Sequence, residues 1–280
     1  MKQINSLVSD VYTLLGEGKK NPSQEYLFGM GNSIVEAVRR QLWMSTSARK
    51  ASLRMSNLGK PCTRALWYDI KGTHDPEPLS PQTKLKFMIG DVVEAVILYL
   101  VKEAGHSVED QQKEVQIEGI RGHIDARIDG VLTDVKSSSS YGMKKFKNGT
   151  LPKDDPFGYI SQISGYANAL GDDKGMFLAF DKSSGELATY THHDLEDTSE
   201  RIQAVRTALD EEFPPDRPFK SVLDRPSKRQ KLAINCSYCA HKKECWHDED
   251  VNLEFKSGRP VWFLGRDKQT KGRVAAKDAF

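Results

Sequence analysis

The sequence predicts an α/β fold with a mixed central sheet flanked by helices, and three observations predict it. Gly122 to Lys136 reads as a β-hairpin turning at Asp129-Gly130, where both positions must accept positive φ. An apolar-periodic helix from Thr83 to Ala104 precedes it and is stopped by Gly105. A second helix, Gly158 to Leu170, follows and leads into the strand pair Met176–Phe180 and Leu187–Thr191, joined by Ser183-Ser184-Gly185-Glu186. Helix, strands, helix and strand pair in that order make an α/β layer.

Taken in order, residues 3–15 and 24–43 look helical, with Leu7, Val11 and Leu14, then Leu27, Ile34, Val38 and Leu42, at helical spacing. Pro61 suits the first turn of a further helix, which puts Cys62 at its N-terminus, where a thiolate is favoured. Next to Leu66 and Trp67 the same cysteine also reads as a small core residue. A proline-rich connector, 73–82, opens the long helix. Leu85, Met88, Val92, Val96 and Leu100 form its expected stripe. Glu94 lies off that stripe, one turn after Gly90, whose missing side chain leaves room for a close approach.

In the hairpin register Ile128 faces Val131, Arg127 faces Leu132, Ala126 faces Thr133, and Asp125 faces Asp134. Alternation puts Asp125, Asp134 and Lys136 on one face, with Ile124, Ala126, Ile128, Val131 and Val135 on the other. Two opposed carboxylates repel unless a cation sits between them, so this face is a candidate metal site. An amphipathic hairpin with solvated charges is the competing reading. The register also sets His123 opposite Lys136. Ser137 to Gly142 reads as a polar loop at the mouth of the site, and Lys144, Lys145, Phe146 and Lys147 as a surface able to track a nucleic-acid strand. On the 158–170 helix Gln162 and Tyr166 are four apart and share a face. A helix over 195–213 ends at Pro214-Pro215, before a basic segment, 214–231.

The chain has 280 residues, 38% hydrophobic and 29% charged, with a net charge of +2 too small to specify a partner. It holds no apolar run of membrane-spanning length, and its first residues lack a secretory h-region, so a cytoplasmic location is expected. Thiols stay reduced there, and Cys236, Cys239 and Cys245 stand as C-x2-C-x5-C, a pattern for zinc or an iron–sulfur centre. Cys62 is the remaining cysteine and the natural fourth ligand. No G-x-x-x-x-G-K-[ST] loop occurs, which excludes a P-loop motor within this sequence.

Gly90-x-x-x-Glu94, Gly122-x-x-Asp125, Asp134-Val135-Lys136 and Gln162-x-x-x-Tyr166 resemble, in order and rough spacing, the motifs of the PD-(D/E)XK nucleases, specifically the RecB-like branch. Cys62 with the terminal cysteines resembles its iron–sulfur subset, the CRISPR-associated and AddB-type exonucleases. The resemblance implies a restriction-endonuclease-like core over 56–246, a helical segment at 1–55 and a C-terminal extension at 247–280, frayed over 266–280. It implies Mg²⁺ or Mn²⁺ on Glu94, Asp125, Asp134 and the Val135 carbonyl, with Lys136 orienting or deprotonating water and Gln162 and Tyr166 positioning DNA. A 4Fe-4S cluster (zinc as the alternative) would sit on the four cysteines and join the N- and C-terminal segments. The implied activity is a DNA exonuclease on single-stranded ends, 5′ to 3′ favoured, in recombination, repair or phage/CRISPR processing. A recombinase, helicase or single-strand-binding partner is implied. The alternatives are a non-catalytic DNA-binding subunit and a structure-specific endonuclease.

Overall fold

A computed structural model describes residues 2–42, 52–72, 74–256 and 259–265. The end of the second expected helix at 43 and the fraying expected over 266–280 lie outside the described residues. Helices are α1 (Leu7–Glu17), α2 (Gln24–Leu42), α3 (Met55–Leu58), α4 (Thr63–Lys71), α5 (Pro81–Glu103), α6 (Ser140–Lys147), α7 (Tyr159–Leu170), α8 (Thr198–Asp210), α9 (Ile234–Ser237) and α10 (Lys242–Cys245). Strands are β1 (Val108–Glu109), β2 (Glu114–Ile117), β3 (Ile120–His123), β4 (Ala126–Ile128), β5 (Val131–Ser138), β6 (Gly175–Asp181), β7 (Leu187–His192), β8 (Val222–Asp224), β9 (Arg229–Lys231), β10 (Val251–Lys256) and β11 (Arg259–Leu264). None of these helices is long and apolar enough to cross a membrane.

The chain forms two compact units, Met1–Pro61 with Leu79–Glu211 and Cys62–Pro78 with Glu212–Phe280. The first holds a mixed sheet in the order β1-β4-β5-β6-β7, in which β5 and β6 are parallel and the other pairs antiparallel. Three of the four expected hairpin pairs form, Ile128 with Val131, Arg127 with Leu132 and Ala126 with Thr133, but Asp125 is not paired with Asp134, because β4 begins only at Ala126 and the Asp125 carbonyl accepts from the Gln112 amide. Asp129 and Gly130 take φ of 48° and 81°. Both sheet faces are covered. On one, Ile97, Leu98 and Val101 of α5 and Leu7 and Val11 of α1 pack on Ala126, Ile128, Val135, Met176 and Leu178. On the other, Ile163 of α7 lies against Gly175 and Leu132, close enough that a Cβ on Gly175 would meet Ile163 at 2.3 Å.

Several expectations need correction. The stripe of α5 is Ala95, Ile97, Leu98 and Val101, and Leu85 is exposed; nearly every residue from 92 to 101 is apolar, so periodicity alone did not fix the buried side. Ser137–Gly142 is not a loop: β5 runs to Ser138, and Ser139 caps α6 by accepting from the Gly142 amide at 3.3 Å. His123 faces Glu114, not Lys136, because β3 leaves the hairpin to pair with β2 in a separate two-stranded sheet. Phe146 is buried against Phe177, while Lys145 pairs with Asp154 and Lys147 with Glu186. The strand-tracking surface read there therefore does not exist in that form.

The second unit contains a four-stranded antiparallel sheet, β10-β11-β9-β8, which the sequence reading missed. Its strands β8 and β9 are three residues each and carry Arg229 and Lys231. These basic residues pair with Glu254 and Asp224, so charge had masked a strand pattern. A small core of Leu232, Trp246 and Leu264 packs with Cys236, Cys245, Val251 and Trp262. Cys62 caps α4 within this same unit, so all four cysteines belong to it. The grouping of 62–78 with the C-terminal part is absent from the three-segment reading.

Candidate active site

β5 is the element that positions the site. Alternation along it buries Val135 toward α5 and turns Asp134 and Lys136 to the opposite face. Asp134 is 2% exposed, and Lys136 Nζ stands 2.6 Å from its Oδ2. That oxygen has no hydrogen-bond partner of good geometry, so the contact is a close ion pair without alignment. Asp125 precedes β4, where the chain has left the β5 ladder; its carbonyl accepts from the Gln112 amide at 3.3 Å. Its Oδ2 accepts from the Val135 amide at 2.7 Å, which aims the carboxylate back at β5. Glu94 enters from α5 and accepts from Gln112 Nε2 at 2.8 Å.

Electrostatics ties the three acids together. Burial pushes the Glu94 carboxyl up to about 7, and the charges of Asp134 and Asp91 add to this. Asp125 is held well above the usual carboxylate range by burial, then by Asp134 and Glu94. Burial also raises Asp134, with Lys136 working against it. For Lys136, burial opposes the ammonium, but Asp134 and Asp125 override it and move the pKa up. Carboxylates that resist ionisation are hard oxygen donors, and the Lys136 ammonium does not fully offset their charge. Their chemistry therefore fits a divalent cation. Among the described residues, however, no three His, Cys, Asp or Glu side chains already converge as a metal site. Each acid is turned to its own partner: Gln112, the Val135 amide or Lys136.

Gln162 and Tyr166 project together from α7, and Gln162 Nε2 donates to the Tyr166 hydroxyl at 3.0 Å. Burial pushes the Tyr166 phenol up to about 12. A Cβ at Gly122 would meet Tyr166 Cε1 at 2.6 Å and Met55 Cβ at 2.9 Å, so the bare glycine is what lets the tyrosine lie against β3. Gly90 differs: among the described residues a Cβ there would find only Ser137 Oγ at 3.7 Å, so none of these makes the close approach expected at that glycine.

Two neighbours of the site were not found in the sequence. Gln112 sits at a left-handed position, φ 53°, in the turn before β2, and no local pattern marked it. Tyr159 lies under the Lys136 ammonium, 4.9 Å from ring centroid to Nζ. Its signal was present, since 159, 162 and 166 share one helical face at i, i+3 and i+7.

The cysteines form no disulfide. Burial raises the Cys62 thiol, which overrides the helix N-terminal position that was expected to lower it. Burial and then the charges of Cys62, Cys239 and Cys245 push Cys236 up to about 11. The four sulfurs thus feel one another's charge without forming a ready-made ligand set, and the cluster expected to join the two ends of the chain is not shown. Trp246 Nε1 is buried without a hydrogen-bond partner of good geometry, and it acts on Cys236 to lower its pKa. An orphaned donor beside crowded thiols suits a metal-bound thiolate.

No family model and no curated protein matches this sequence. Solved structures that resemble its fold include these three. An alkaline exonuclease, LHK-Exo from Laribacter hongkongensis, is 15% identical, with 58% of this chain and 89% of that one covered at a TM-score of 0.41. A phage-related exonuclease from Haemophilus somnus 129PT is 17% identical, covering 56% and 89% at 0.38. A protein designated SSO0001 is 14% identical, covering 80% and 98% at 0.40. The likeness is loose, and the chemistry below stands on this chain's own residues.

Proposed function

We propose that this chain is a divalent-cation-dependent deoxyribonuclease, acting as an exonuclease on single-stranded ends with 5′ to 3′ polarity favoured. The observation that carries the reading is geometric: buried Asp134 holds the Lys136 ammonium at 2.6 Å, and Asp125 is aimed at the same strand by the Val135 amide at 2.7 Å. With the Val135 carbonyl, these acids would hold Mg²⁺ or Mn²⁺. When bound, the ion supplies Lewis acidity at the phosphoryl group and a more acidic water.

The chain's own residues do the rest. Lys136, 2.6 Å from Asp134 Oδ2, orients or deprotonates the attacking water and offsets charge on the phosphoryl oxygens. The Val135 amide fixes the Asp125 carboxylate, and Gln112 fixes Glu94. Gln162 holds the Tyr166 hydroxyl, so the pair presents a fixed polar edge to the substrate backbone. The outcome is hydrolysis of one phosphodiester bond to a phosphomonoester and a hydroxyl. A non-catalytic DNA-binding subunit is the weaker alternative, since nothing in such a role calls for three acids and a lysine to be gathered at this cost. End-labelled linear and circular DNA, single- and double-stranded, tests the reading in Mg²⁺ or Mn²⁺. Linear single strands should be degraded from one end and circles spared; cleavage of circles would make the enzyme an endonuclease.

We further infer that Cys62, Cys236, Cys239 and Cys245 hold a structural metal centre, 4Fe-4S as the sequence resemblance suggests or zinc. The second unit's apolar core is small, which is the circumstance in which a metal contributes folding energy. Anaerobic preparations should be brown and bleach on reduction if the centre is iron–sulfur. Metal analysis finding neither iron nor zinc in the protein, and no loss of stability in Cys62→Ser, would refute both.

A further inference from the structure

An exposed aromatic ring stands next to the site on a loop that cannot easily move. Phe157 is 59% exposed. Its loop is clamped by Asp155: Oδ1 accepts from the Phe157 and Gly158 amides at 3.3 and 3.0 Å, and Oδ2 from the Ile160 amide at 2.8 Å. Gly158 follows in the left-handed region, φ 76°, pressed against the Gly59 backbone so closely that a Cβ would lie 2.0 Å from the Gly59 carbonyl oxygen. The ring is therefore presented to solvent by a braced backbone, not by a slack one.

Its neighbour on the inward side is Tyr159, with centroids 5.5 Å apart and ring planes at 31°. Tyr159 in turn lies beneath Lys136. Phe157, Tyr159 and Lys136 are consecutive neighbours running from solvent to the charged centre. Farther along the layer Phe146 and Phe177 are buried and unable to meet a ligand, and half-buried Tyr190 stacks on Phe177, not on Tyr159. We propose that Phe157 is the stacking platform for a base of the substrate strand next to the scissile phosphate. This rests on the nuclease reading, since only a phosphate held at Lys136 places a base over the ring. The occupant follows from chemistry: the backbone is drawn to the ammonium and the cation site, while the apolar face of a base covers the exposed ring. The contacts of 4.9 and 5.5 Å limit the separation to a few nucleotides of a stacked strand, which rises about 3.4 Å per nucleotide.

Full-length protein in metal-free buffer is mixed with single-stranded oligonucleotides carrying one 2-aminopurine at successive positions from each end. Binding of the wild type should quench emission at one or two adjacent positions. Phe157→Ala should abolish that quench, and Phe157→Trp should restore it. In cleavage with Mn²⁺, Phe157→Ala should raise KM on the order of ten-fold, with the loss lying in KM more than in kcat. If the quench persists in Phe157→Ala, or KM is unchanged while the wild type cleaves, the platform is wrong although the nuclease reading stands. If the variant instead disrupts self-association, the ring covers a second copy and the proposal falls. If the wild type neither binds nor cleaves DNA, the nuclease reading itself fails and takes this inference with it.

Discussion

At the scale of single residues, the acids explain most and were the most legible. Asp134 and Lys136 could be placed on one face by alternation, because that rule acts locally; Asp125 lies outside the strand pair and reaches β5 through the Val135 amide. What local rules missed were contacts made by distant chain, such as Gln112 on Glu94, and burial, which reversed the expected pKa direction at Cys62. The raised carboxyl of Glu94 has a consequence for stability. Its pKa is about 7 in the fold against 4.5 ordinarily, so between those values the folded state binds more protons than the unfolded one. The contribution of Glu94 to the stability of the metal-free protein then falls as pH rises through 4.5 to 7. Asp125 and Asp134 add in the same direction. Melting curves at pH 5 and 7.5 in chelator should differ in the acid's favour by a few °C from this term. Glu94→Gln should shrink the difference, and Mn²⁺ should reverse it by stabilising the ionised acids. A pH response identical in Glu94→Gln and wild type would contradict the account.

At the scale of elements, the α7 helix was found within one residue of its ends and the β4–β5 turn at its expected place, because a terminal glycine and a turn dipeptide mark them, whereas β4 begins at Ala126, four residues after the expected start at Gly122. The C-terminal sheet was missed because its short strands carry paired charges instead of an alternating apolar pattern. The two motif glycines looked alike in sequence and differ in the fold. Gly122→Ala drives a methyl into the Tyr166 ring and Met55, and overpacking of this kind costs roughly 1–3 kcal/mol. Gly90→Ala fits its space inside a helix and should be neutral or stabilising by up to about 1 kcal/mol. Denaturant titration should separate them clearly. Should Gly90→Ala keep its stability but lose cleavage, a substrate backbone passes at that glycine; equal stability of the two variants would refute the packing argument.

At the scale of the whole molecule, fold class was readable because helix period, strand period and turn chemistry agreed along the first unit. The division into units was not, since residues 62–78 and 212–265 come together from far apart in sequence and no local signal records that. The carboxylate centre and the cysteines accordingly fall in different units, so the proposed chemistry belongs to the first and the proposed metal-linked stability to the second. Its central claim concerns the first: one cation-dependent hydrolytic site in which Asp134 and Lys136 act together. The most direct measurement is degradation of end-labelled single-stranded DNA in Mn²⁺ by wild type, Asp134→Ala and Lys136→Ala, with circular dichroism confirming that all three are folded. Cleavage by the wild type, its loss in chelator, and at least a hundred-fold loss in both variants is the predicted result. Folded variants that cleave as fast as the wild type, or a wild type inert with every divalent ion, would contradict it.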